Sequence, residues 1–174
     1  MPTFAPRPLV TYLLTFSCYG TRLHGAESGS VDPKHNIPGN RLVKPNHARV
    51  ASGRSRMTQE RYEMDEPRRK CVLGAILEHC EYRSWPAIAA HVRMNHVHVV
   101  MDANEAPEKV LNELKAYASR KLNQVGLDGA DRRRWSRHGS TRYLWKRIDV
   151  EAARTYVADR QGEPMALFVN EHPW

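Results

Sequence analysis

Two histidines one residue apart, His96 and His98 in the run NHVHVVMD, are the side chains best placed to do chemistry. The run is rich in β-formers, and side chains alternate along a strand. His96 and His98 therefore share one face, while Val97 and Val99 take the other and turn toward helices. Along a strand such a pair lies about 7 Å apart, within reach of one metal ion. Asp102 has the same parity, and His91 lies upstream across a turn, where it reads as a packed side chain. A metal on two neutral imidazoles can polarise a phosphate oxygen, and an attack on that phosphate needs a nucleophile. No cysteine or serine stands beside an obvious base in sequence. A tyrosine can serve, because a phosphotyrosine link keeps the phosphodiester energy for rejoining. Tyr156 and Tyr117 are the candidates, with Tyr117 on an apolar helix face that suits a packed ring.

A second concentration of functional side chains is DRRRWSRHGSTRYLW, residues 131–145. Arg132, Arg133, Arg134, Arg137 and Arg142 stand there with Trp135, His138 and Trp145. Arginines grip phosphates and aromatic rings stack unpaired bases, so the segment reads as a platform for a single nucleic-acid strand. Lys115, Arg120 and Lys121 extend it from a neighbouring helix; the alternative is a solvated basic loop. The whole chain supports a polyanionic partner, with 27 Lys+Arg against 19 Asp+Glu and a net charge of +8.

Composition narrows the remaining classes. Cys18, Cys71 and Cys80 are odd in number and form no C-x-x-C pair, against a disulfide framework or a structural zinc site. The opening MPTFAPRPLVTYLLTF is apolar but short and broken by Pro6 and Pro8, so it reads as a strand, not a signal peptide or membrane span. A cytoplasmic protein without a membrane partner is expected.

The elements that must position these residues follow from periodicity. Residues 9–19 read as a buried strand, and 20–65, rich in Gly and Pro, as a long loop or insertion. Pro67 opens an amphipathic helix over 66–82. Strands over 86–93 and 96–102 form a hairpin around Met94 and Asn95. Pro107 opens a second helix that Gly126 ends. Asp149 caps a third helix carrying Tyr156, which Gly162 and Pro164 stop, and the tail MALFVNEHPW adds an edge strand or packs down. The order predicts a single α+β domain over 1–174: one antiparallel sheet with helices on one face.

Four runs in order carry a family resemblance: MNHVHVVM at 94–101, LKAYASRKLN at 114–123, GSTRYLW at 139–145 and ARTYVADRQGEP at 153–164. Together they resemble the single-tyrosine HUH transposases, and within these the REP-associated tyrosine transposases, over roughly residues 9–20 and 70–165. The resemblance implies a ferredoxin-like sandwich with the histidine strand central in the sheet. It implies His96 and His98 as ligands of Mg²⁺ or Mn²⁺. Tyr156 would attack a phosphate of single-stranded or hairpin DNA, leaving a 5′-phosphotyrosine and a free 3′-OH. It also implies a polar side chain about one turn after the tyrosine to complete the metal site, and a monomer or homodimer. Here the sequence departs from its relatives, which commonly carry Gln or Asn where this chain has Arg160. Gln161 ranks first by resemblance. Asp159 ranks second by geometry, because a fifth residue falls about 140° from the tyrosine's helical face. The expected function is metal-dependent single-strand cleavage and strand transfer. The alternative is a DNA-binding protein of the same fold that no longer moves DNA. A histidine phosphohydrolase using His98 is disfavoured, because Val100 stands where a third histidine would be needed.

Overall fold

The computed structural model describes residues 7–21 and 47–173. Most of the expected loop over 20–65 lies outside the described residues. The elements are β1 (Val10–Ser17), α1 (His47–Ser55), α2 (Glu66–Tyr82), β2 (Ala87–Val92) and β3 (His96–Ala103). They continue with α3 (Pro107–Gln124), β4 (Ser140–Leu144), α4 (Arg147–Asp159) and β5 (Ala166–Val169).

Local chemistry sets the boundaries. Asp65 caps α2 by accepting from the Arg68 backbone N–H, and Pro67 occupies its first turn. Pro107 opens α3 in the same way, and Gly126, at φ +72°, turns the chain after it. Between β2 and β3 the turn closes with the Arg93 N–H donating to the His96 carbonyl at 2.8 Å.

The five strands pair antiparallel in the order β4-β1-β3-β2-β5, so β3 lies at the centre. Through β4 this is the double split βαβ arrangement of a ferredoxin-like sandwich, with β5 added beyond β2. Two crossovers of the same hand carry α2 and α3 to one face. There Leu14, Phe16, Val97, Val99 and Met101 bury against Ile76, Leu114 and Ala118. Val97 and Val99 thus turn toward helices, as the alternation predicts.

Four expectations are corrected. The helices do not all lie on one face: α4 crosses the other, where Val150, Ala153 and Val157 pack on Ile88, Ala89, Val100 and Leu144. Its apolar stripe is narrow and covers only part of that face. Asp149 is not the cap of α4; Lys146 holds that position, and Asp149 sits in the first turn, where an acidic group suits the helix dipole. Residues 47–55, expected within a loop, form α1, and 140–144, expected within a basic loop, form the edge strand β4.

Candidate active site

The face that α4 crosses carries His96 and His98. Their ring centroids are 4.8 Å apart, edge to face. His98 is buried; its Nδ1 lies 2.7 Å from the Thr15 hydroxyl, and its Nε2 lies 3.1 Å from Gln161 Oε1. Thr15 is there by register, since Thr15 of β1 stands directly opposite His98 of β3. Gln161 Oε1 only accepts, so Nε2 carries the His98 proton here and Nδ1 accepts from Thr15. Because a hydroxyl both donates and accepts, Thr15 can equally hold the other tautomer, whose Nε2 lone pair a metal would need. Beside His96, Asn95 Oδ1 lies 2.6 Å from Nδ1. An amide oxygen only accepts, so Nδ1 carries the His96 proton and Nε2 keeps its lone pair.

Gln161 reaches this face because α4 ends at Asp159 and the chain turns. Gly162 adopts φ +77°, a left-handed conformation that glycine enters without steric cost. The Gln161 amide donates from Nε2 to the Tyr156 carbonyl at 3.2 Å, which points its Oε1 at His98. Asp159 stays on the exposed surface of the helix. Tyr156 is 41% exposed, and its ring centroid lies 5.5 Å from that of His98. Tyr117 lies across the sheet on α3, its ring tilted against His79 at 4.8 Å with Arg120 over it. It has no access to the histidine face.

A cleft of about 450 Å³ opens between α4 and the sheet beside these groups, lined by Leu13, Thr15, His98, Ser140, Arg142, Asp149, Ala152, Ala153 and Tyr156. Arg142 brings the one positive side chain of this lining.

The other candidates resolve differently. Asp102 sits at the far end of β3, where it accepts from the Thr11 hydroxyl at 2.6 Å. His91 is fully buried: it accepts at Nε2 from the Met165 N–H and donates from Nδ1 to the Val157 carbonyl, each at 3.0 Å. Burial holds its pKa below the usual histidine range. It ties the residues after α4 to β2, the packed role its sequence position suggests.

The basic segment is not one surface, which corrects the expected platform. Arg134 is buried and spends its donors on Asp128, Asn123 and the Arg132 and Gly129 carbonyls. Lys115 is buried and donates to the Ser136 and His138 carbonyls at 2.9 and 2.8 Å. Trp135 packs edge-on against Phe16 and donates to Ser119 Oγ and the Lys115 carbonyl. Arg132 is half-buried over the Tyr62 ring and bonded to Gln59. These four brace residues 128–138 against β1 and α3. Arg133, Arg137 and Arg142 are exposed, as is Arg120 on α3. Gly139 belongs to the same brace: a Cβ there would lie 2.6 Å from the Thr15 carbonyl oxygen and 2.7 Å from Leu111 Cδ1.

Thr15, Asn95, Ser140 and Asp149 are site residues that sequence reasoning missed. The alternation Thr11, Leu13, Thr15 places Thr15 on one face of a strand. That this face is the histidine face depends on pairing between β1 and β3, for which no local signal exists.

Two imidazole nitrogens and an amide oxygen, from His96, His98 and Gln161, form a neutral donor set able to take a divalent ion and leave its charge for an anion. Among the described residues no cluster of three or more His, Cys, Asp or Glu side chains offers another such site.

No protein-family profile matches this chain, and no curated protein matches it. The chain is similar to solved structures. Among them is a REP-associated tyrosine transposase bound to a REP hairpin, at 10% identity and a TM-score of 0.47, covering 90% of this chain and 70% of that one. No helix among the described residues is long and apolar enough to cross a membrane.

Proposed function

We propose that this chain cuts and rejoins single-stranded DNA, with Tyr156 as nucleophile and His96, His98 and Gln161 as metal ligands. One observation carries the reading: the Tyr156 ring stands 5.5 Å from the His98 ring, whose Nε2 faces Gln161 Oε1 at 3.1 Å, beside an open cleft. A nucleophile and a neutral donor set thus meet where a phosphate can enter.

Arg142 draws the phosphate backbone into the cleft by charge. His96, His98 and Gln161 would hold a divalent ion such as Mg²⁺ or Mn²⁺, which would supply Lewis-acid polarisation of a phosphate oxygen. Tyr156 Oη attacks phosphorus and its proton passes to water, which the exposure of the ring allows. The new O–P bond forms as the bond to the 3′ oxygen breaks. That oxygen takes a proton and leaves as a free 3′-OH, and the 5′ side stays on the tyrosine. Attack by a 3′-OH on the phosphotyrosine reverses the step, so the enzyme rejoins strands without an external energy source. Asn95 and Thr15 hold the two imidazoles in place throughout.

Labelled hairpin DNA with single-stranded flanks, incubated with protein and Mn²⁺, tests the reading. Wild type is expected to cut in a flank. His96→Ala and His98→Ala are expected to lose cleavage and metal binding but keep most DNA binding. Cleavage that survives in both histidine variants would overturn the metal assignment.

A further inference from the structure

The edge strand β4 carries an aromatic feature that the cleavage chemistry does not use. Tyr143 and Trp145 stack face to face, with centroids 5.1 Å apart and planes 11° from parallel. Tyr143 is 44% and Trp145 74% exposed. The stack has a firm base: Tyr143 meets the buried Tyr12 edge-on at 5.1 Å, and Tyr12 Oη donates to the Glu105 carbonyl at 3.1 Å. An exposed tryptophan held flat on an anchored ring presents an open π-face to solvent, an arrangement expected at binding surfaces.

The position of the stack argues for its occupant. Arg142 and Tyr143 are consecutive on an edge strand, so their side chains leave opposite faces. Arg142 lines the cleft, and Tyr143 starts the aromatic surface on the other side of the same edge. A strand leaving the cleft reaches Tyr143 by crossing one residue. Lys146, exposed, follows Trp145 directly and adds a second cation where β4 leads into α4. On the aromatic side Glu108 accepts from the Thr141 hydroxyl at 3.0 Å, and its charge turns phosphate away there. Cations along the edge and an acid beside the rings sort a nucleotide, with phosphate over the edge and base on the rings.

We propose that the Tyr143–Trp145 stack binds an unpaired nucleobase of the DNA strand that crosses β4 from the cleft. This site rests on the DNA reading above and adds to it a contact that requires a base, not only a backbone.

Anisotropy of end-labelled strands, read alongside tryptophan quenching where Trp145 is present, tests it without any cleavage, in Tyr156→Phe protein with EDTA present. The probes are a short oligodeoxyadenylate and the same backbone made fully abasic. The oligodeoxyadenylate is expected to quench fluorescence and bind roughly tenfold tighter than the abasic strand, given the usual worth of one base–aromatic stack. Trp145→Ala should remove that difference and leave abasic binding unchanged, while Trp145→Phe keeps most of it. Equal affinity for the two strands in the Tyr156→Phe protein overturns the proposal. So does a Trp145→Ala variant that keeps the difference while a dimer seen by sedimentation is lost, which assigns the stack to a second copy of the chain. Base-dependent quenching in a protein whose wild type never cuts DNA sustains this site and removes only the nuclease reading.

Discussion

At the scale of single residues, the site depends on side chains that orient the candidate ligands as much as on the ligands. Thr15 Oγ1 is 2.7 Å from His98 Nδ1, and β1 places it there by register, while His91, the β2 residue opposite His98, is already bonded to Val157 and Met165. Thr15→Val keeps the shape and removes the hydrogen bond. It is expected to weaken Mn²⁺ binding by roughly 10- to 100-fold, the usual effect of losing an outer-shell partner, while Thr15→Ser restores it. Calorimetric titration of the metal checks this. Arg134 and Arg142 separate two roles that look alike in the sequence. Arg134→Ala strips a buried guanidinium from Asp128 and should cost about 3 kcal/mol of stability in urea unfolding. Arg142→Ala removes an exposed cation from the cleft and should weaken DNA binding with little change in stability. Equal stability losses in the two variants would contradict this division.

At the scale of elements, the segment from 128 to 139 decides how β1, α3 and β4 meet. Lys115 is central to it, pushed down to about 8 by burial. The unfolded chain holds that proton to its ordinary value near 10.5, so between about 8 and 10.5 the unfolded state binds more protons than the folded one. Stability from this group therefore rises with pH across that window and is level above it. Lys115→Met should remove this rise from the difference between the two pH–stability curves; a parallel pair of curves would contradict it. This segment also shows where sequence reading stopped. Arg and Trp side chains give the same pattern whether they face water or brace a fold, and the partners that bury Arg134 and Trp135 come from α3 and from Asp128 through tertiary packing. By contrast, the hairpin of β2 and β3 was legible, because β-rich runs flanked a short polar turn. So were the two proline-opened helices. β4 was hidden because its five residues, STRYL, alternate too weakly to read as a strand. Placing α4 on the second face required the sheet order, which only long-range pairing reveals.

At the scale of the whole molecule, fold and charge point to one use of one sheet face. The covered face holds α2, α3 and the larger core, and the other leaves the histidine end open beside α4. With net charge +8, binding to a single strand should weaken steeply and linearly in log–log form as salt rises, and a flat salt response would count against a phosphate-tracking surface. How well the sequence disclosed the site follows the same division. The shared face of His96 and His98 was legible from alternation, and their candidate role as ligands from alternation together with the resemblance. Tyr156 and Gln161 were legible through resemblance, and the fold explains Gln161, since a turn at Gly162 brings a fifth residue back to the face that an unbroken helix would turn away. Attack of Tyr156 on DNA is the step on which the proposed reaction turns. Its most direct measurement is peptide mapping by mass spectrometry of a denatured, nuclease-trimmed adduct formed on single-stranded hairpin DNA with Mn²⁺. A nucleotide bonded through phosphate to Tyr156 and no adduct with Tyr156→Phe are expected; an adduct on another residue, or one that persists in that variant, would rule out Tyr156 as the nucleophile.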